Sequence, residues 1–221
     1  MRRRPQRLEA SALFFLVIAG AAALGCARAS DHRRFADAAA SVSAGRSDVL
    51  NFQGCKSVND DDLTLIEGLA GLKHLLLDDT SISDEGLRHV ASCQGLESLT
   101  LSSTKVTDTG LIYLRNLPNL RFLRLDRLAV TDDGLKALAG MTTLRHLSLW
   151  KCRVGDEGAG TLDRLPELVE LSLDDTRVTG VGAKEAARAP SLRFLSVWGT
   201  SVTAHDVECI RKAFPKLNVN Y

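Results

Sequence analysis

Residue types alone raise three possibilities. His146 and Glu170 could act as a general base and the carboxylate that orients it, with Ser148 or Ser172 as nucleophile, which would make the chain a hydrolase. Asp60, Asp84, Asp108, Asp132 and Asp156 could hold a metal ion. Trp150 and Trp198 are the only two tryptophans in a chain with 5% aromatic residues, and they could anchor a binding partner. His146 and Glu170, Ser148 and Ser172, the successive aspartates, and the two tryptophans are each separated by 24 positions or a multiple of 24. The elements that carry them therefore decide between the readings.

That interval is an internal repeat. Leu72, Leu96, Leu120, Leu144, Leu168 and Leu192 keep it without a slip. So do Leu75, Leu99, Leu123, Leu147, Leu171 and Leu195, and then Leu77, Leu101, Leu125, Leu149, Leu173 and Val197. A β-branched column follows at Val58, Ile82, Val106, Val130, Val154, Val178 and Val202. The L-x-L stretch alternates with period two and predicts a short strand with its leucines inward. The next half has helical spacing, as in Leu87 and Val90 or Leu111 and Leu114. Asn59, Ser83, Thr107, Thr131, Thr179 and Thr203 occupy its N-cap column, with Gly155 the exception. The aspartates come one position later, at the positive end of each helix dipole, and this role accounts for them without a metal.

A strand–helix unit this small cannot bury its own apolar side, so the units must stack. Seven strands are expected, beginning near Leu50, Leu75, Leu99, Leu123, Leu147, Leu171 and Leu195, with a closing strand over 217–221. The first unit holds one extra residue before Val58. The alanine-rich stretch 31–45, with Phe35 and Val42, predicts a helix capping the first coil. Function then belongs to the outward strand positions. One such column is His74, Ser98, Phe122, His146, Glu170, Phe194 and Asn218. The next is Leu76, Thr100, Arg124, Ser148, Ser172, Ser196 and Asn220. The third is Asp78, Ser102, Asp126, Trp150, Asp174 and Trp198.

With units of the form L-x-x-L-x-L-x-x-T-x-V-T-D-x-G-L, residues 49–221 resemble bacterial leucine-rich-repeat proteins. They are similar to the cysteine-containing subtype found in ubiquitin-ligase substrate receptors. The position of that cysteine reads Thr80, Thr104, Leu128, Cys152, Thr176 and Thr200 here, with Cys55 one position off. The resemblance implies an α/β fold: a right-handed leucine-rich-repeat solenoid, an arc with a parallel concave sheet and convex helices. It also implies ligand binding, usually of protein, on the concavity. Ala159, Ala183 and Ala186 stand where the pattern has leucine, which predicts later helices closer to the sheet.

The expected surface comprises Trp150, Trp198, Asp174, Phe122, Phe194, Arg124, Asp126, His146 and Glu170. Large rings beside charges bury much area with few rotors. Trp150 and Trp198 should stand roughly 10 Å apart on strands two steps apart. The chain is expected to be non-enzymatic, because His146 and Glu170 have no supported nucleophile and read as a surface ion pair. No cofactor, metal or nucleic acid is expected, and the formal charge of +1 gives no broad field for polyanions.

Arg2, Arg3, Arg4 and Arg7 followed by an apolar stretch from Ala10 to Leu24 read as a signal peptide over residues 1–25. Its removal takes away four Arg and one Glu and moves the charge from +1 to −2. Ala23-Leu24-Gly25-Cys26 resembles a lipobox, with Cys26 lipidated. Ala27-Arg28-Ala29 offers instead an A-x-A cleavage site and a soluble chain from Ser30. Residues 26–48 are then linker and capping helix, and 49–221 hold about seven 24-residue units plus the closing strand. The expectation is a monomeric protein-binding module of the bacterial cell envelope or periplasm, with membrane attachment through Cys26. The alternative is a cytosolic adaptor resembling substrate receptors, which the export signal opposes. Cys55 and Cys152 are four units apart, roughly 20 Å, and Cys93 and Cys209 are similarly distant. A disulfide needs Cα atoms within about 7 Å, so Cys55, Cys93, Cys152 and Cys209 are expected to be free and largely buried.

Overall fold

The computed structural model describes residues 31–221. The expected signal peptide and Cys26 lie outside the described residues. Eight parallel strands form one sheet in sequence order: β1 (Val49–Asn51), β2 (His74–Leu76), β3 (Ser98–Thr100), β4 (Phe122–Arg124), β5 (His146–Ser148), β6 (Glu170–Ser172), β7 (Phe194–Ser196) and β8 (Asn218–Asn220). Leu50 pairs with Leu75 across 25 residues, where the extra residue is absorbed. From β2 to β8 every pairing is offset by 24, as in Leu75 with Leu99 and Leu99 with Leu123. The chain is a leucine-rich-repeat solenoid.

Helices alternate with the strands: α1 (Asp31–Ser43), α2 (Asp60–Leu63), α3 (Asp84–Val90), α4 (Asp108–Leu111), α5 (Asp132–Leu138), α6 (Asp156–Thr161), α7 (Gly180–Ala186) and α8 (Ala204–Ala213). After α2, α4 and α6 the chain tightens into a 3-10 turn. The repeating leucines and the β-branched column form one continuous core along the stack. Its outer ends are closed differently. At the start, α1 lays Phe35 against Phe52, with ring centroids 4.8 Å apart. The buried Asp31 accepts from Ser57 Oγ, and His32 Nδ1 lies 2.6 Å from Asp62. At the end, Leu217 just before β8 and Val219 within it are buried, and Arg211 of α8 donates to the Val219 carbonyl at 2.8 Å.

The aspartate column does more than sit at a dipole. Each carboxylate reaches into the next coil. Asp84 accepts from Thr107 N–H at 2.7 Å and from its hydroxyl at 2.6 Å. Asp108 does the same with Thr131, and Asp156 with Thr179. Gly155 has no hydroxyl to give, but its N–H still donates to Asp132 at 2.6 Å. The ladder explains the glycine of the T-D-x-G-L signature. A Cβ on Gly86, Gly110, Gly134, Gly158 or Gly182 would lie 2.5 Å or less from the carboxylate of the preceding coil. Position 180, next in the aspartate column, is glycine, so the ladder ends with Asp156.

Two expectations about cysteine are corrected. Cys55 is disulfide-bonded rather than free. The distances that exclude bridges between repeats do not apply to the first coil, which borders the segment preceding the repeats. Cys209 is free but exposed, because no further coil stacks on α8. Cys93 and Cys152 are free and buried, and burial pushes their thiols up to about 11 and about 12. Among the described residues no helix is long and apolar enough to cross a membrane.

Candidate protein-binding surface

Three residues of strand per coil leave a narrow sheet face away from the helices. Beyond it each coil turns sharply. Asp79, Ser103, Arg127, Lys151 and Asp175 all have φ between 54° and 59°, and Gly199 continues the column. Left-handed backbone costs an L residue roughly 1–2 kcal/mol. It is held here by the ladder itself: Arg127 N–H donates to the Trp150 carbonyl at 2.7 Å, and Lys151 N–H to that of Asp174 at 3.0 Å. The side chains just before these turns therefore have fixed backbone positions.

The expected register holds. Leu75 and Leu99 are fully buried, while Trp198 is 42% exposed and Trp150 half-buried. Trp150 is clamped. Its Nε1–H donates to Asp175 at 2.8 Å. The Arg127 guanidinium lies 4.5 Å from the ring centroid and the Lys151 ammonium 4.8 Å. Such cation–π contacts hold two long basic side chains and one ring in a single arrangement.

The aspartates of the third column support this surface. Asp126 accepts from Ser148 Oγ at 2.5 Å and from Trp150 N–H at 3.1 Å. Asp174 accepts from Trp198 N–H at 2.8 Å and from Ser172 Oγ at 3.1 Å. Burial raises both carboxyls above their ordinary value, against these hydrogen bonds, which lower them. Arg124 donates to Asp78 at 2.8 Å, which links β4 to the turn after β2.

His146 and Glu170 come together, with Nδ1 and Oε2 3.0 Å apart and Glu170 buried. The Phe122 ring sits 6.0 Å from that of His146 and is itself only 6% exposed, whereas Phe194 is half-buried. The hydroxyls of Ser148 and Ser172 are committed to aspartates, so the pair has no nucleophile from the two serines the sequence offered. A depression of about 450 Å³ lies on the helix-start edge, lined by residues such as Lys56, Asp60 and Lys105, away from His146. Among the described residues no cluster of His, Cys, Asp and Glu could hold a metal ion.

Sequence reasoning brought the tryptophans, Asp174 and the His146–Glu170 pair to one face. It placed Arg127, Lys151 and Asp175 in a flanking column with Asp79, Ser103 and Gly199 but did not assign them to the surface. Their signal was available, since they form the column flanking the tryptophans.

A leucine-rich-repeat family model matches residues 92–114 and 140–162. No curated protein matches the chain. Among solved structures, internalin C2 from Listeria monocytogenes is similar at 22% identity and a TM-score of 0.59, covering 84% of this chain and 91% of its own. Internalin F from the same organism gives 20% and 0.58, covering 82% of this chain and 55% of its own. A leucine-rich-repeat protein of Leptospira interrogans gives 18% and 0.57, covering 81% and 50%. The chain thus spans about half the length of the latter two. At such identities the likeness shows the fold.

Proposed function

We propose that this chain is a non-catalytic protein-binding module of the bacterial cell envelope, and that it holds a protein partner on the concave face of its solenoid. The observation that carries the proposal is the exposed Trp198 ring two coils from the clamped Trp150, on a face whose backbone is already paired within the stack. A large ring kept partly in water forgoes burial worth about 2 kcal/mol, which a partner can recover. Phe194, Asp174, Arg124, Asp126, His146, Glu170 and Phe122 complete the surface. The repeats read as the cysteine-containing subtype with threonine substituted. In support, Thr80 and Thr104 donate to carbonyls three residues back, and Cys152 Sγ meets the Leu125 carbonyl at 3.1 Å. We expect a monomer.

Affinity capture from native cells with Trp150→Ala and Trp198→Ala tests the surface. Loss of the partner is expected, by tenfold or more if the rings are hot spots worth about 1.4 kcal/mol or above. Unchanged capture removes the proposed surface. Export with a lipid on Cys26 rests on the sequence, and the intact mass of the native protein tests it. Diacylglyceryl on Cys26 would support the anchor. A chain starting at Ser30, or a Cys26 sulfur consumed in a disulfide, contradicts the anchor, because one sulfur cannot carry both bonds.

A further inference from the structure

We propose that the partner presents an acidic polypeptide segment to the rim just beyond strands β4 to β6. This proposal rests on the protein-binding reading above and names the partner's chemistry. Four cations lie in the strand-to-helix connections of three adjacent coils: Arg127 and Lys151 at the strand end, and Arg153 and Arg177 two residues before the N-cap column. All four are exposed. Neighbouring coils are about 5 Å apart, so the group spans little more than 10 Å along the stack.

Two features separate this patch from an ordinary solvated charge run. The first is that, among the described residues, its four cations form no ion pairs with the carboxylates around them. Several cations elsewhere on the surface are paired, as Lys136 is with Asp133 and Glu157, Lys73 with Glu97 and Arg145 with Glu167. None of the four rim cations has a carboxylate partner among the described residues. The nearby acids are engaged: Asp175 by the Trp150 indole, Asp126 and Asp174 by backbone N–H groups and serine hydroxyls.

The second feature is fixed placement. Arg127 and Lys151 both sit within 5 Å of one ring centroid, so their charges are less than about 10 Å apart, inside the Debye length at moderate salt. Both also leave left-handed turns pinned by the coil-to-coil ladder. Two like charges held together repel, and an anion between them relieves that repulsion. Because the side chains are already ordered, little rotamer entropy is lost when the anion arrives. Four charges in so short a span suit a few carboxylates. They are too few for the run of phosphate contacts that supports nucleic-acid binding. The exposed Trp198 on the next coil offers an aromatic contact to the same segment.

The test uses anisotropy of a short fluorescein-labelled, glutamate-rich peptide, beside its glutamine counterpart and a labelled single-stranded DNA. Full-length protein and the Arg153→Glu/Arg177→Glu variant are compared, with circular dichroism confirming that both are folded. Binding of the glutamate peptide is expected to weaken by about tenfold or more in the variant and to fall with added salt. Equal binding of the glutamine peptide, tighter binding of the DNA, or no effect of the charge reversal overturns the proposal. The two readings separate in capture of the native partner. If Trp198→Ala loses the partner and the charge-reversed variant keeps it, the concave surface stands and the acidic segment falls. If the reverse holds, the rim stands and the tryptophan surface falls.

Discussion

The edge of each coil where the helix begins and the edge where the strand ends are both built from polar residues, yet they behave in opposite ways. At the helix start the coils from α2 to α6 repeat the same device: an aspartate accepts from the N–H of the next coil's N-cap residue, Ser or Thr except at Gly155, over a glycine that leaves it room. At the strand end no two adjacent coils agree. The sequence there runs Asp79, Ser103, Arg127, Lys151, Asp175 and Gly199 on a backbone that hardly changes. Sameness from coil to coil is what stacking requires, because each coil must meet the next with the same surface. Difference on a constant backbone is free of that requirement, and recognition can use it.

The widest gap should appear in thiol chemistry. Cys152 occupies a repeated inward position and Cys93 another buried one, with thiols raised to about 12 and about 11. From those values alone their reaction with a disulfide reagent near pH 8 should be roughly 100-fold or more slower in the folded than in the unfolded chain. Exposed Cys209 should react promptly in both. Next comes Gly134→Ala. Helix propensity alone predicts a gain of about 1 kcal/mol. The Asp108 carboxylate at 2.2 Å from the new Cβ, with the Asp108 Cα at 3.2 Å, predicts a loss of about 2–3 kcal/mol in urea unfolding. Asp108→Ala should cost about 1–3 kcal/mol by leaving the Thr131 N–H without its partner. Trp198→Ala should change stability by less than about 1 kcal/mol while acting on partner capture.

Much of this was legible in the sequence. The 24-residue period fixes which leucines face inward, and the extra residue in the first unit reappears as a 25-residue pairing. The capping helix was legible from Phe35 and Val42, both buried against the first coil. The glycine of the signature was not explained, because its reason lies in the preceding coil's aspartate, 26 residues earlier, and no local rule looks that far. The Cys55 disulfide was missed because the distance argument considered only cysteines within the repeats. Phe122 faces away from the helices as expected, yet it is buried. Alternation assigns a side chain to a face and says nothing of what meets it there.

The most direct test places a photo-crosslinking amino acid at position 198 and, as a control, at Ile112, an exposed apolar residue on the helix side. If the variable strand edge is where recognition occurs, the probe at 198 crosslinks a discrete partner in native cells and the probe at 112 does not. Crosslinking from 112 with none from 198 would contradict recognition at the strand edge.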